Sequence, residues 1–312
     1  MKTFNKQLLL GLTGTCLVFG YSSLLATETS RQSLSTSKDE KLLAQIDKDN
    51  VNNYLYKNKL KSYDFLKAKL DEAIKDTQFP NNENKVIKNL WVLEKNNKLN
   101  NLRENENSNE QKVLMVSWID GTKPYNKPWK TEKTYKIQRD TWLTVPAKVK
   151  DFCNRCKGIN MKIPGKMMLS LRLEQYLGLL LTPEDKKTHF VEILVKAKDI
   201  ERPCTNSDIS ISSCTNFDPN RLEQESFLSK EFNVTHYFNK QKNNKLYPFT
   251  GLGYTYDWGN PRTYVGATEF IIKQGTIVEV SSVKSTEEYC EKNSLLTTLS
   301  QKSRELSLVE DL

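Results

Sequence analysis

Four side chains are the best suited in this chain to acid–base chemistry: His189 and His236, its two histidines, Asp257, which lies within a run of aromatic rings, and Glu269, which follows it. Histidine titrates near neutral pH, and a pair of carboxyl groups can protonate a leaving group and activate water. Neither histidine belongs to an HExxH or another metal-binding spacing, and no GxSxG elbow, P-loop or GxGxxG occurs. His189 opens an apolar run and reads as a strand-end residue. His236, between Thr235 and Tyr237, precedes the aromatic run and is the better general base. With Asp257 and Glu269 folded over it, the trio would make a hydrolase. A glycosidase needs its two carboxyls about 5 to 9.5 Å apart, a distance that sequence does not contain.

The aromatic run itself, Tyr247 to Pro261, interleaves Tyr247, Phe249, Tyr254, Tyr256 and Trp258 with Gly251, Gly253 and Gly259. Rings held by glycine turns can stack on the apolar faces of sugars or bases. Tyr247, Tyr254, Tyr256 and Trp258 are therefore the candidate ligand contacts. The competing reading is structural: Tyr254, Tyr256 and Trp258 alternate like one side of a strand and would fill a core, the commoner fate of large rings.

Cysteine spacing carries a third kind of chemistry. Cys153-Asn154-Arg155-Cys156 has the CxxC spacing of redox sites, in which the first sulfur sits at a helix N-terminus and its pKa falls. Here Pro146 is placed to start the helix and the cysteines to close it, so structural half-cystines are expected instead. A zinc cluster of Cys153, Cys156, Cys204 and Cys214 has the wrong second spacing. The expected framework is a Cys204 to Cys214 bridge closing a polar loop, with Cys290 reaching Cys153 or Cys156. One thiol is left over once Cys16 is removed with the leader. No metal or cofactor is expected.

That leader comprises Lys2 and Lys6, an uncharged run from Leu8 to Ala26, and then the polar Thr27-Glu28-Thr29. It reads as a secretory signal peptide cut after Ala26. Gly11, Thr13, Gly14, Thr15, Gly20, Ser22 and Ser23 dilute the run against a retained anchor, and Cys16 lacks the small-residue context of a lipid attachment site. The mature chain is then periplasmic or extracellular, without a stable transmembrane span, in a compartment where disulfides persist.

Over 312 residues the net charge is +9, and aromatics make up 10%, enough for a real core. The leader contains no acid, so its loss lowers the net charge by two. A basic balance suits a glycan or another anionic envelope component. Most lysines nevertheless alternate with acids, as in Lys67-Ala68-Lys69-Leu70-Asp71-Glu72, which is the pattern of a solvated face. Nucleic acid is not an expected partner.

The elements that must position these groups change in texture near residue 110. Residues 27–95 form a helical N-terminal segment: Tyr63, Leu66, Leu70, Ala73 and Ile74 fall on one helix face, and Val86, Ile87, Leu90, Trp91 and Leu93 on another. Phe79 to Asn82 is the expected turn between them, and 96–111 reads as a flexible linker. Residues 112–290 are a disulfide-stabilised domain. Its expected strands are Val113 to Ile119, Thr134 to Ile137, Thr141 to Val145 and Phe190 to Val195. Residues 138–140 join the second and third as a hairpin, and Phe270 to Val280 is a further hairpin turning at Gln274-Gly275. Met167 to Leu181 reads as a helix, and 291–312 as a helical tail. The fold class is α+β: a mixed, largely antiparallel sheet with packed helices and a helical N-terminal extension.

Four stretches together resemble an uncharacterised family of exported bacterial proteins over about residues 112–290. They are Leu171-Arg172-Leu173-Glu174-Gln175-Tyr176-Leu177-Gly178-Leu179, Arg202-Pro203-Cys204 after its strand, the Tyr247 to Gly259 run, and Thr286-Glu287-Glu288-Tyr289-Cys290. The resemblance implies a bacterial envelope origin and assigns no catalytic residue. The leading expectation is a noncatalytic envelope or extracellular binding protein. The alternative is a secreted hydrolase using Asp257, Glu269 and His236.

Overall fold

The computed structural model of the chain describes residues 50–77, 83–93, 103–105, 108–123, 126, 128–156, 165–183, 186–204, 206–214 and 247–291. The leader, the turn at 79–82, His236 and the tail beyond Glu291 lie outside the described residues. The elements in chain order are α1 (Val51–Asn58), α2 (Leu60–Thr77), β1 (Arg103–Asn105), β2 (Ser108–Ile119), α3 (Pro128–Thr131), β3 (Thr134–Lys136), β4 (Thr141–Leu143), α4 (Pro146–Cys156), α5 (Gly165–Tyr176), β5 (His189–Lys196), β6 (Tyr254–Tyr256), β7 (Val265–Thr268), β8 (Phe270–Ile272), β9 (Ile277–Ser285) and α6 (Thr286–Cys290). The fold is α+β. Its main sheet has the order β1-β2-β5-β9-β3, with β4-β8 and β6-β7 as two-stranded companions, and every pairing is antiparallel.

The central strands β2 and β5 are apolar on both faces because both faces are covered. Val113, Met115, Val191, Ile193 and Val195 pack with Leu143, Phe270 and Ile272 of the β4-β8 pair. On the other face, Val116, Trp118 and Phe190 meet Val149, Phe152, Leu173, Tyr176 and Tyr289 from the helices. The main sheet is thus the middle of three layers.

Both expected hairpins are corners rather than hairpins. β3 pairs with β9, and β4 with β8. The Ile137 and Thr276 turns bond to each other instead: Ile137 N–H donates to Thr276 O, and Gly275 N–H to Ile137 O, each at 2.8 Å. Gly275 takes φ +92°, a conformation that glycine adopts without steric cost. Turn chemistry marks where the chain reverses, and long-range packing chose different partners for the strands.

The N-terminal helices join the same core. The Asn50 side chain caps α1 by accepting from Asn53 N–H at 2.7 Å. Val51, Leu55, Tyr63, Leu70 and Ala73 pack on Met167, Met168 and Leu171 of α5 and on Trp258. The second expected helix is absent. Apart from a single 3-10 turn at Glu83–Lys85, residues 86–93 run as a strap whose Leu90 and Leu93 N–H groups donate to Ser212 O and Ile209 O, each at 2.9 Å. Its apolar residues fall four apart because the strap touches separate clusters: Leu90 lies against Cys204, Leu252 and Tyr254, and Leu93 against the main sheet. Within the expected linker, Arg103–Asn105 and Ser108 onward are strands paired as Arg103↔Lys112 and Glu104↔Gln111. Backbone pairing gives this segment the order that its polar composition does not advertise.

Helix α5 stops at Tyr176, five residues before the expected end. Leu179 N–H donates to Glu174 O and Gly178 N–H to Gln175 O, with Gly178 at φ +63°, so a left-handed glycine closes the last turn. Cys153 bonds to Cys290, and Cys204 to Cys214. Cys153 and Cys156 therefore make no CxxC redox pair, and the four-cysteine zinc arrangement has no thiolates to use. Cys156 is also disulfide-bonded, and no cysteine among the described residues is free.

Candidate functional site

The structure separates the residues expected to act together. Tyr254 is 1% exposed, and its hydroxyl donates to Lys85 O at 2.8 Å. Burial pushes its pKa far above the ordinary tyrosine value. Trp258 is buried against α2 and α5, with its indole N–H donating to Leu179 O at 2.9 Å. Tyr256 is half-buried, donates to Asp76 Oδ2 at 2.9 Å, and stacks on Tyr264. These three rings bind the N-terminal segment to the domain and form no open platform. Of the four expected ligand contacts, Tyr247 lines the cavity of about 530 Å³ between β2 and β4, and Tyr254, Tyr256 and Trp258 do not line it.

Asp257 is likewise structural. Its carboxylate takes two hydrogen bonds from the Arg172 guanidinium, Nη1 to Oδ1 at 3.2 Å and Nη2 to Oδ2 at 3.0 Å, and a third from Gly259 N–H at 3.1 Å. Both partners are almost fully buried. Three of the carboxylate's about four lone-pair sites are thus taken by groups within the protein.

Glu269 stands in a different setting. It is the single residue between β7 and β8, where the chain leaves one two-stranded sheet and enters the other. The peptide is fixed on both sides: Glu269 N–H donates to Gly253 O at 2.9 Å, and the preceding Thr268 O accepts from Thr144 Oγ1 at 2.7 Å. The residue is half-buried as a whole, while its Oε2 is out of solvent and has no hydrogen-bond partner. Burial pushes the carboxyl pKa up to about 8.

Glu269 is among the residues lining a cavity of about 530 Å³. The cavity exists because β2 and β4 touch at one bridge, Val116 to Thr144, and then part. Trp118 and Ile119 stay with one wall, Thr141 and Trp142 with the other, and Leu177 to Leu179 and Tyr247 to Phe249 close the sides. Trp142 meets Phe249 edge to face at 5.5 Å, and Trp129 packs on Tyr135 at 4.1 Å. The charged lining is balanced: Asp120 and Asp140 against Arg139 and Lys187. Asp120 is itself 4% exposed, its Oδ1 accepting from Thr122 N–H at 2.9 Å and Thr122 Oγ1 at 2.6 Å. Asp140 Oδ1 accepts from Gln274 N–H at 2.8 Å.

Local sequence density pointed to residues 247–258, whereas the rings of the cleft are scattered over Trp118, Trp129, Tyr135, Trp142, Phe190, Tyr247 and Phe249. The signal that could have found the others is the apolar run of β2 ending at Trp118, Ile119 and Asp120, a polar stop at the end of a central strand.

His189 lies outside this cleft, at a shallower depression shared with Lys130, Glu132 and Glu288. Its Nδ1 is 2.8 Å from Thr188 Oγ1, and its Nε2 is 3.2 Å from Lys130 Nζ. Burial, then the Lys130 charge, lowers its pKa below the ordinary histidine value. Among the described residues, no three His, Cys, Asp or Glu side chains are grouped to hold a metal ion, and no helix is long and apolar enough to cross a membrane. No protein-family model, curated protein or solved structure matches this chain.

Proposed function

We propose that this is an exported, noncatalytic binding protein of the bacterial envelope or extracellular space, and that it holds a glycan in the cleft between β2, β4 and the Tyr247 to Phe249 segment. One observation carries the reading: a cavity of about 530 Å³ lined by aromatic rings, with Glu269 among its lining residues. Pockets of this size and make-up hold small ligands by apolar contact, with a few polar groups fixing orientation. The balanced lining favours an uncharged sugar over an acidic polymer. The Cys153–Cys290 and Cys204–Cys214 bridges suit an oxidising compartment, and the N-terminal leader suits export. The test is tryptophan fluorescence of the mature protein titrated with soluble envelope glycans. A saturable change that is lost in Trp142→Ala, at an unchanged melting temperature, supports the reading. Absence of saturable binding across the panel overturns it.

A hydrolase remains the second reading, because a carboxyl with a raised pKa is the proton donor that glycoside cleavage requires, and Asp120 supplies a second carboxyl in the same lining. Asp257 is withdrawn from that role by its pairing with Arg172. Glu269→Gln that retains binding while abolishing release of reducing ends would establish this second reading.

A further inference from the structure

We propose that the cleft is a strand-wide slot between β2 and β4 and that it binds the peptide of a peptide-substituted envelope glycan, with the sugar rings against the aromatic lining. The inference rests on the glycan-binding reading and names its ligand class.

The first support is the way the cleft is made. Val116 N–H donates to Thr144 O at 2.9 Å and Thr144 N–H to Val116 O at 3.0 Å, and this bridge is the only pairing of β2 with the β4 segment among the described residues. Past it the two strands part, and residues 117–119 and 141–143 line the cavity. Over this stretch each strand presents an edge to the slot.

The second support is the direction of the backbone, which alternates along an antiparallel strand. Val116 turns its N–H and C=O to Thr144, away from β5, and the register of β2 with β5 runs without a shift from Lys112 to Ile119. Trp118, two residues on, directs its N–H and C=O to the same side, while Ile119 O turns back and accepts from Thr188 N–H at 2.9 Å. In β8, Ile271 bonds through both backbone groups to Glu201, so its β4 partner Trp142 points its own N–H and C=O away from β8 and toward β2. Continued in register, the bridge would set Trp118 opposite Trp142, and the cavity lies between them instead.

A sheet edge binds an extended peptide by main-chain hydrogen bonds. Here the edges of two strands border one slot, so an inserted peptide bonds on both sides. Peptide amides repeat at strand spacing, and sugar hydroxyls do not. Side chains stand perpendicular to a strand, which keeps the two indoles from blocking the edges. The lining carries both signs, Asp120 and Asp140 with Arg139 and Lys187, and this fits a peptide of no net charge.

The experiment compares three probes by calorimetry on the mature chain. They are the disaccharide N-acetylglucosaminyl-N-acetylmuramic acid carrying alanyl-isoglutaminyl-lysyl-alanine, a peptide of zero net charge; the same disaccharide closed as a methylamide; and the N-acetylated peptide alone. The substituted disaccharide should bind at least about tenfold tighter than either part. N-methylation of its lysyl amide, which removes one donor, should weaken binding by about fivefold or more. Hydrogen exchange at the Trp118 and Trp142 amides should slow by about tenfold at saturation. The ligand carries the change, so no variant has to fold. A methylamide that binds as tightly as the substituted disaccharide, or an N-methylated ligand within about twofold of its parent with no slowing at either amide, overturns the peptide slot and leaves the glycan reading standing. Peptide alone binding as tightly as the substituted disaccharide overturns both. Binding of none of the three overturns this inference, and the glycan reading falls with it where the wider panel of glycans also fails to bind.

Discussion

Tyr289 donates its phenol hydrogen to Glu192 Oε1 at 2.9 Å, one residue before Cys290, whose sulfur is bonded to Cys153 in α4. Lys150 Nζ at 3.0 Å and Ser282 Oγ at 3.1 Å complete the shell around the same carboxylate. Burial alone would raise the Glu192 pKa, but the Lys150 contact and the Tyr289 and Ser282 donors outweigh it and hold the group below the ordinary value. The junction of β5, β9, α4 and α6 is therefore held twice, by a covalent bond and by charge-assisted hydrogen bonds.

This network sets an acid limit. A carboxylate with a depressed folded pKa stabilises the protein above its unfolded value, near 4.5, and that contribution disappears as pH falls through the folded pKa. Glu192→Gln should therefore be less stable than the wild type at neutral pH, with the difference closing below about pH 4.5, as read by urea unfolding across pH. Tyr289→Phe should cost about 1 to 2 kcal/mol at neutral pH.

Glu269 sets the opposite trend. Its folded pKa, about 8, lies above its unfolded value, so the folded state holds a proton that the unfolded state releases. Stability from this group is complete below about pH 4.5 and declines as pH rises toward 8, by at most about 1.4 kcal/mol per unit. Glu269→Gln should remove that slope and make the variant relatively more stable at pH 8 than at pH 5. A wild-type profile parallel to that of Glu269→Gln over this range would show the carboxyl to be ionised.

Asp257→Asn should act on stability and leave the cleft working. Removing one member of the buried Arg172–Asp257 pair strands the other charge, at a cost of about 3 to 5 kcal/mol. The melting temperature should fall sharply, while glycan affinity, measured well below that temperature, stays within about twofold because Asp257 does not line the cavity.

The two bridges should differ in weight. Cys204 and Cys214 are 10 residues apart and Cys153 and Cys290 are 137 apart, so chain-entropy arguments assign the shorter loop about 2.7 kcal/mol and the longer about 5. Cys153→Ala/Cys290→Ala should therefore lower the urea midpoint more than Cys204→Ala/Cys214→Ala.

The legible parts of this fold were those where local pattern and global role agree. The run Val113 to Ile119 and the run Phe190 to Val195 are apolar on both faces, and they are the central strands. Pro146 begins α4 and Cys156 ends it, as residue types alone required. The illegible parts were decided by partners distant in sequence. Val86, Leu90 and Leu93 have helical spacing, yet the strap they form satisfies its backbone through residues 209 and 212. Tyr254 and Trp258 were legible as strand-like alternation and not as contacts of Lys85 and Leu179, which turned candidate ligand platforms into core. Glu269 was visible as an acid near rings. Its raised pKa comes from burial, which is set by partners distant in sequence such as Gly253 and Thr144.

The place of β9 in the main sheet also orders events in time. It lies between β5 and β3, so Thr134 waits for Glu279 and His189 for Ser285. Contacts this far apart along the chain form slowly, because loop closure precedes any gain from pairing. A chain emerging N-terminus first leaves the sheet divided until residues 277–285 appear, and the Cys153 partner arrives five residues later still. Maturation is thus gated by the last strand, and truncations that stop short of it should accumulate as open intermediates with exposed strand edges.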